Sequence, residues 1–313
     1  MIIKLIYIYK FNFLENIYIY IYKYIKYTIM NIGFSLDNNY VDLLINTINS
    51  ILQHNIIFIN IYIITDNILT TNSIKNKIKI IKNENFKLFF KVMEQEDVDF
   101  YSKNTRTDNE LRKDINVINY GQILFNKYFD IDKILYLEAD QIIINSLEMC
   151  YNIDIENIGI AAIPIKLTDY DKIIKNNKII NNKDYIYNDK IFYFNAGVTL
   201  LDFRYWKKNN LFEKFNSILI NNNNNIKEHL YLFYSQGILN ILFYNKYKYI
   251  DKKYNCVHSD QYLDPINIDL DKPVILHYNG QILFNIKNDI LNDWTLKWIE
   301  IYKKYDIMNI LSS

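Results

Sequence analysis

The feature of this sequence that most constrains its fold is a repeated order of short apolar segment, polar turn and amphipathic helix. Residues 31–36 are mostly apolar and lead into the polar turn 37–39. From Val41 to Leu52, apolar side chains recur at the spacing of one helix face. A second β-branched segment, residues 59–65, also ends in a polar turn. Alternating strands and helices predict a parallel or mixed sheet that is covered by helices on both faces.

The same alternation continues along the chain. Further strands are predicted at residues 77–81, 88–92, 133–137, 158–163, 192–201 and 274–278, and further helices at 111–128, 205–219, 228–244 and 293–302. The asparagine tract 221–225 predicts a solvated loop. The sequence contains no internal repeat and no linker rich in Pro, Gly or Ser. It therefore predicts one α/β domain over residues 30–313, with a helical extension at its C-terminus.

The N-terminal tract, residues 1–29, is dominated by Tyr, Ile and Lys. Charged residues interrupt it, so it lacks the ~18 uncharged apolar residues of a membrane-spanning helix. It also lacks the order of regions found in a signal peptide, and a membrane association is not indicated. We interpret 1–29 as a low-complexity tract outside the domain. Either the native protein starts at Met30, or the tract is dispensable.

The composition argues against several classes of protein. Lys and Arg number 36 against 35 Asp and Glu, a net charge of +1. Nucleic-acid-binding proteins normally carry a basic excess, so no nucleic-acid partner is expected. Hydrophobic residues make up 50% of the chain, more than a disordered chain contains. Cys150 and Cys256 are too few for a disulfide framework, which favours a reducing, cytoplasmic location.

Two carboxylates end the very apolar predicted strand at residues 133–137. Glu138 and Asp140 are two residues apart, so on a regular strand their side chains point the same way. Oxygen ligands of this kind suit Mg²⁺ or Mn²⁺. In open α/β sheets, ligands bind at the carboxyl ends of the strands. An isolated acidic pair is more often a solvated turn, so the prediction of a metal site depends on what accompanies it.

Two other segments carry residue types that are rare in this chain, which has six glycines and four histidines. Gly197 lies inside the apolar segment 194–198, where a glycine marks a bulge or the close approach of a ligand. His277 ends the last predicted strand and is followed by Gly280. An imidazole there can join carboxylates around a metal. On its own, His277 is more simply explained as a packed, hydrogen-bonded histidine.

Six segments, in order and spacing, resemble glycosyltransferase family 8, the family of glycogenin and of bacterial lipopolysaccharide galactosyl- and glucosyltransferases. The segments are residues 34–40, 50–52, 132–140, 194–198 with Trp206, 236–240 and 277–280. The resemblance implies a GT-A fold, a Rossmann-like mixed sheet flanked by helices. It also implies a UDP-sugar donor, transfer with retention, and Mn²⁺, with Mg²⁺ as the alternative ion. The implied acceptor is a glycan, a lipid-linked saccharide or a protein.

The resemblance also implies roles for individual residues. The matching positions are Glu138, Asp140 and His277 for the metal, Asp37, Asn39 and Tyr40 for uracil and ribose, Gln122, Ala139, Asn195, Ala196, Gly197 and Gly280 for the rest of the donor, and Ser235 and Gln236 for catalysis near the reacting carbon. No nucleophile is assigned, because a covalent intermediate and a same-face ion pair both remain open for this family.

Four positions depart from the family pattern. Glu138 stands where the family has Asp and keeps the charge. Gln122 replaces an Arg, Ser235 replaces an Asp, and Leu283 replaces a Lys that meets the diphosphate. These changes keep an alternative open, in which the chain binds a nucleotide, a glycan or a partner protein without turnover. A nucleotidyltransferase is disfavoured because residues 34–40 contain no glycine-rich phosphate loop.

Overall fold

The computed structural model describes residues 29–105, 116–165, 193–224, 234–244, 246–257, 273–278 and 293–310. Its strands are β1 Ile29–Leu36, β2 Phe58–Thr65, β3 Phe86–Val92, β4 Lys133–Leu137, β5 Gln141–Ile143, β6 Ile160–Ile165, β7 Tyr193–Asp202, β8 Lys248–Tyr249, β9 Cys256–Val257 and β10 Ile275–His277. A seven-stranded sheet has the order β3-β2-β1-β4-β7-β6-β8, and a three-stranded sheet has the order β5-β10-β9.

The larger sheet is mixed, as predicted. β1 pairs parallel with both β2 and β4, and β2 pairs parallel with β3. β7 runs antiparallel to β4 on one side and to β6 on the other. The carboxyl ends of β1 to β4 therefore meet at one edge, where the turn after β1 and the Glu138–Asp140 turn lie next to each other.

The helices are α1 Val41–His54, α2 Ile68–Lys77, α3 Gln95–Asn104, α4 Gly121–Tyr128, α5 Glu148–Tyr151, α6 Phe203–Lys208, α7 Leu211–Asn224, α8 Tyr234–Leu242 and α9 Asp293–Lys303. They cover both faces of the larger sheet. Alternate residues of β4 show this division: Leu135 joins an apolar cluster that contains Ile48 of α1. Its neighbour Tyr136 joins a second cluster that contains Phe125 of α4. No helix among the described residues is both long and apolar enough to cross a membrane.

Two glycines let α4 lie close to the sheet. A Cβ on Gly33, in β1, would stand 2.6 Å from Ile134 Cδ1 and 2.9 Å from Phe125 Cζ. A Cβ on Gly121, the first residue of α4, would stand 2.4 Å from the Cβ of Ser35. A Cβ atom essentially never lies closer than 3.0 Å to another heavy atom, so each contact depends on the missing side chain.

The prediction of a strand at residues 77–81 is wrong. The structure has α2 ending at Lys77, followed by a 3-10 turn over Ile78–Ile80. The alternation of Lys and Ile imitates the period of a strand. The packing is helical instead, because Ile74 and Ile78, four residues apart, are the buried pair while Ile80 is 52% exposed.

The helix predicted at 205–219 is interrupted. α6 ends at Lys208, and Asn210 adopts a φ of 52°, a left-handed conformation that asparagine tolerates better than most residues. α7 then continues through Asn224, so the predicted loop is helical over residues 221–224. Leu211, Phe215 and Leu219 recur every four residues and are buried. This apolar stripe provides the packing that favours the helix over the local composition.

The remaining predictions are met within the described residues or lie outside them. The helix predicted at 111–128 appears as a 3-10 turn, Val117–Tyr120, followed by α4. The helix predicted at 228–244 is observed as α8, and the C-terminal helix as α9. Residues 1–28, 111–115 and 228–233 lie outside the described part of the chain.

Candidate functional site

Three side chains of metal-ligand type meet where the two sheets adjoin. Glu138 and Asp140 lie in the turn between β4 and β5, and His277 ends β10. Nε2 of His277 is 2.9 Å from Oε2 of Glu138 and 3.3 Å from Oδ1 of Asp140. One ligand atom from each residue lies within 4.8 Å of the other two. The structure therefore brings together the three residues predicted to hold a metal.

Backbone pairing fixes this arrangement. β10 pairs antiparallel with β5, which places His277 opposite Gln141, the residue after Asp140. The backbone N–H of Tyr278 donates to the Asp140 carbonyl at 3.0 Å. The imidazole and the Asp140 carboxylate therefore approach each other from two hydrogen-bonded strands.

Thr47, in α1, contacts the backbone of the same turn. The hydroxyl of Thr47 lies 2.5 Å from the carbonyl oxygen of Ala139 and 2.7 Å from that of Gln141. Ala139 itself is buried, and its carbonyl shares the one hydroxyl proton of Thr47 with the carbonyls of Gln141 and Leu43. Thr47 was not predicted as a site residue, and nothing in its sequence context marks it.

The charges of the cluster determine the protonation of His277. Burial by itself would lower the pKa of this histidine. The carboxylates of Asp140 and Glu138 outweigh that effect and raise the pKa of His277 to about 10. Without a bound cation, an imidazolium therefore balances the two carboxylates. Two carboxylates and one imidazole are a donor set that fits a divalent cation.

Gly197 leaves the space in which this cluster sits. A Cβ at this position would stand 2.5 Å from Oε2 of Glu138, 2.7 Å from Cε1 of His277 and 2.9 Å from Oδ1 of Asn195. Any side chain other than glycine would displace at least one of the predicted ligands. The fit of the cluster to a bound ion thus depends on a residue of the neighbouring strand β7.

The pairing of β7 with β6 is interrupted at Gly197. Ala162 of β6 pairs with Thr199, but the next residue, Ile163, pairs with Asn195. Residues 196–198 of β7 therefore have no counterpart in β6. A bulge of this kind was predicted from the glycine alone, and it presents the backbone of β7 to the site.

Side-chain amides take the place of the missing strand partner. The N–H of Ala196 donates to Oε1 of Gln236 at 2.9 Å, and its carbonyl accepts from Nε2 of Gln122 at 3.2 Å. The carbonyl of Gly197 keeps a backbone partner, the N–H of Glu138 at 3.1 Å, and also accepts from Nε2 of Gln141 at 2.8 Å. Oε1 of Gln141 is buried and finds no partner among the described residues.

The predicted nucleotide turn lies beside the acidic cluster. Asp37 accepts from the N–H of Asn39 at 2.9 Å through Oδ1. Tyr40 is half-buried, and its pKa is raised to about 12 by burial and then by the negative charges of Asp140, Glu138 and Asp37. Tyr40 therefore lies within the electrostatic field of both the turn and the cluster.

A second acidic group provides a contrast. Glu94, Glu96 and Asp97 are also close enough to one another to hold an ion. Nζ of Lys127 is already 2.5 Å from Glu96, 2.9 Å from Asp97 and 3.5 Å from Glu94. The chain supplies its own cation there, so this group has no need of a metal.

The comparisons with known proteins agree with this geometry. The model of glycosyl transferase family 8 matches residues 31–282. The chain belongs to glycosyltransferase family 8. A putative glycosyltransferase of Haemophilus influenzae is 30% identical over 240 residues, which cover 74% of this chain and 64% of that protein. A lipopolysaccharide 1,2-glucosyltransferase of Escherichia coli is 30% identical over 174 residues, 51% of this chain and 47% of that protein. The chain thus spans less than two thirds of the length of these curated relatives.

Solved structures confirm the predicted GT-A fold. The galactosyltransferase LgtC, in complex with donor and acceptor sugar analogues, has a TM-score of 0.64 at 18% identity. That match covers 88% of this chain and 95% of LgtC. Mouse xyloside xylosyltransferase 1 has a TM-score of 0.58 at 12% identity, covering 80% of this chain and 98% of the mouse chain.

Two of the departures from the family 8 pattern touch each other. Gln122 is 1% exposed and Ser235 is 6% exposed. The hydroxyl of Ser235 donates to Oε1 of Gln122 at 3.3 Å. Where the family has an Arg and an Asp, this chain has a neutral donor and acceptor in one contact. No buried charge is left without its partner by the two changes together.

The other site predictions fall into two groups. Asn195, Ala196, Gly197 and Gln236 all belong to the bulge or its hydrogen-bond partners. Gly280 and Leu283 lie outside the described residues. Sequence reasoning missed Gln141, Thr47 and Asn255. Of these, only Gln141 carried a signal, its position directly after Asp140.

Proposed function

We propose that this chain transfers a hexose from a UDP-sugar to a hydroxyl acceptor with retention, assisted by Mn²⁺, with Mg²⁺ as the alternative. The observation that carries the proposal is the Glu138, Asp140 and His277 cluster, held against the bulge at Gly197. The names of two similar proteins, a glucosyltransferase and a galactosyltransferase, support a hexose as the group transferred.

In this proposal, Glu138, Asp140 and His277 hold the metal. A bound divalent cation neutralises the diphosphate and stabilises it as a leaving group. His277 would hold the ion through Nε2, the ring nitrogen that faces both carboxylates. Asp140 is 6% exposed, so its charge is little screened by water.

Asp37, Asn39 and Tyr40 bind uracil and ribose in the same proposal. The side chain of Asp37 is held by the N–H of Asn39 and by Nδ2 of Asn116, at 2.9 and 3.4 Å. This preorders a carboxylate that can accept from a ribose hydroxyl or a uracil N–H. Tyr40 is near enough to Asp140, Glu138 and Asp37 for burial and these three charges to raise its pKa to about 12.

The sugar lies against the bulge of β7 in this proposal. Asn195, Ala196 and Gly197 supply its wall, and Gln122, Ala139 and Gly280 complete the donor site. Ser235 and Gln236 lie in the first turn of α8 and are the residues proposed to act near the reacting carbon. Gln236 is held by the Ala196 N–H and by the hydroxyl of Tyr193, which fixes its amide relative to the sugar wall.

The proposed acceptor is a glycan, a lipid-linked saccharide or a protein, and no nucleic acid takes part. A cytoplasmic location stays a prediction, and it is supported by Cys150 and Cys256, which are both buried as thiols rather than joined in a disulfide. Membrane association is not part of the proposal.

Release of UDP from a panel of UDP-sugars, with Mn²⁺ or with EDTA, tests the proposal. We expect metal-dependent release that favours one sugar and is lost in Asp140→Ala. Asp99→Ala, which removes an exposed carboxylate on α3, is the matched control. No release above Asp140→Ala from any donor would contradict the proposal. If UDP with Mn²⁺ still raised the Tm, the result would favour binding without turnover.

A further inference from the structure

Asn255 links two parts of the site that belong to different sheets. It lies just before β9 and is 4% exposed. Its Oδ1 is 2.9 Å from Nδ1 of His277, and its Nδ2 donates to Oδ1 of Asn195 at 2.8 Å. The same Asn195 oxygen accepts from the backbone N–H of Gly197 at 2.8 Å. These four residues form one continuous line of hydrogen bonds.

The direction of every bond in this line follows from its first member. A backbone N–H can only donate, so Asn195 must turn its oxygen towards Gly197. That oxygen can only accept, so Asn255 must present its Nδ2 group to Asn195 and its oxygen to His277. The proton of that last bond must then belong to Nδ1 of His277.

The line thus selects the ring nitrogen that can bind a metal. With a proton fixed on Nδ1, the lone pair of a neutral His277 is on Nε2. Nε2 is also the atom that faces Glu138 and Asp140. An amide at Nδ1 is the kind of outer partner that orients metal-binding histidines in proteins.

The other end of the line fixes a donor for the sugar. Because the oxygen of Asn195 is held by Gly197 and Asn255, its Nδ2 group must point away from both. Among the described residues this group has no partner. Asn195 is half-buried, so the amide remains accessible at the wall of the proposed sugar site.

We propose that Asn255 is a positioning residue that couples the metal ligand His277 to the sugar-binding amide of Asn195. The inference rests on the proposed function and deepens it. Nδ1 keeps its proton whether Nε2 carries a proton or a metal, so the Asn255 amide has the same orientation in both cases. One side chain therefore holds both the ring of the metal ligand and the amide that faces the sugar.

Two substitutions separate the two contacts of Asn255. Asn255→Ala removes both. Asn255→Asp keeps an oxygen that accepts from His277 but replaces the donor to Asn195 with a second acceptor. Asn152→Asp, an exposed position after α5, is the matched control for the added charge. Circular dichroism and the Tm establish that each variant is folded.

The measurements are Mn²⁺ affinity without nucleotide, by calorimetry, and the affinities for UDP and for UDP-glucose or UDP-galactose. We expect Asn255→Ala to lower the Mn²⁺ affinity about 10- to 100-fold. Asn255→Asp should keep it within about 3-fold of the wild type. In both variants, the gain in affinity of the UDP-sugar over UDP should fall about 5-fold, the effect of one lost hydrogen bond.

A spectroscopic signature accompanies these affinities. In the Mg²⁺-loaded protein with ¹⁵N-labelled histidine, Nδ1 of His277 is expected to be protonated, and His277→Gln assigns its signal among the four histidines. An unprotonated Nδ1, or Asn255 variants that match Asn152→Asp in every affinity, would overturn the inference. A wild-type protein that binds neither metal nor UDP-sugar would instead refute the proposed function.

Discussion

The two sides of the site are held together by different forces. On the side of Glu138, Asp140 and His277, opposite charges attract, and a cation can take the place of the His277 proton. On the side of β7, neutral amides satisfy the backbone of Ala196 and Gly197. Ionic attraction has little directional preference, whereas an amide hydrogen bond depends strongly on its angle. The comparison suggests that charge sets affinity on the first side and that direction sets geometry on the second.

The largest effect is expected from removing one charge on the ionic side. Asp140→Asn keeps the size of the side chain but leaves one carboxylate for the metal. We expect turnover to fall about 10³-fold, which corresponds to about 4 kcal/mol of transition-state stabilisation. Steady-state kinetics with saturating Mn²⁺ measures it. A decrease of less than 10-fold would mean that turnover does not require the negative charge of Asp140.

The second-largest effect is a loss of stability, expected when the contact between Gln122 and Ser235 on the neutral side is changed. Gln122→Arg alone buries a charge without a partner and should cost about 3 kcal/mol of stability. Ser235→Asp alone should also destabilise the protein. The double variant should recover part of the loss, because the new charges face each other.

Urea denaturation of the four proteins gives the coupling energy. We expect a favourable coupling of at least about 1 kcal/mol. Additive losses of stability would show that the two side chains do not act as one contact. The distinction between a neutral side and an ionic side would then not hold for Gln122 and Ser235.

A smaller effect is expected where the two sides meet. Gly197→Ala places a Cβ against Glu138 and His277. The 45%-exposed Glu138 side chain can swing away but then leaves the cluster, and the buried ring of His277 must shift slightly. We therefore expect Mn²⁺ affinity to fall about 10-fold, while the Tm changes by only a few degrees. Calorimetry and thermal denaturation of the same sample distinguish this result from general unfolding, which would lower both together.

The smallest effect concerns a histidine outside both sides. Burial lowers the pKa of His54, whose Nε2 is 2.7 Å from the hydroxyl of Tyr305. The unfolded chain therefore binds this proton more readily, so the contribution of His54 to stability is present above pH 6.5 and is lost as the pH falls below it. His277, with its raised pKa, acts in the opposite direction.

Urea denaturation at pH 7.5 and pH 5.5 checks this expectation. His54→Gln should lose less stability than the wild type over that interval, because glutamine does not titrate. An identical loss in both proteins would assign the pH dependence to other groups.

The sequence predicted the ionic side better than the neutral side. Glu138 and Asp140 are two residues apart, and His277 is one of four histidines, so each stood out by spacing or by rarity. The bulge was predicted only through its glycine. Asn255 carried no signal, because asparagine is abundant in this chain and its two contacts lie 22 and 60 residues away. Long-range pairing of common residues leaves no local pattern.

Secondary structure shows the same division. The strands β1 to β4, β6, β7 and β10 and the first helix were predicted because their apolar periods are unambiguous. The short strands β5, β8 and β9, of two or three residues each, were not predicted. The predictions for residues 77–81 and for the asparagine tract were wrong. In each segment the local composition resembled one structure, and tertiary packing favoured another. In both cases the deciding contacts, made by Ile74 and Ile78 and by Phe215 and Leu219, are with parts of the core that the local sequence does not contain.

The close packing of α4 on the sheet has a consequence for how this family member can vary. Gln122 reaches β7 only because Gly33 and Gly121 let its helix sit deep on the sheet. A single added methyl group at Gly33 would act as a wedge, lifting the helix and withdrawing the Gln122 amide from Ala196. The shape of the wall of the proposed sugar site thus depends partly on Gly33, a position in β1 that touches no substrate. A substitution there would affect the site by displacing α4.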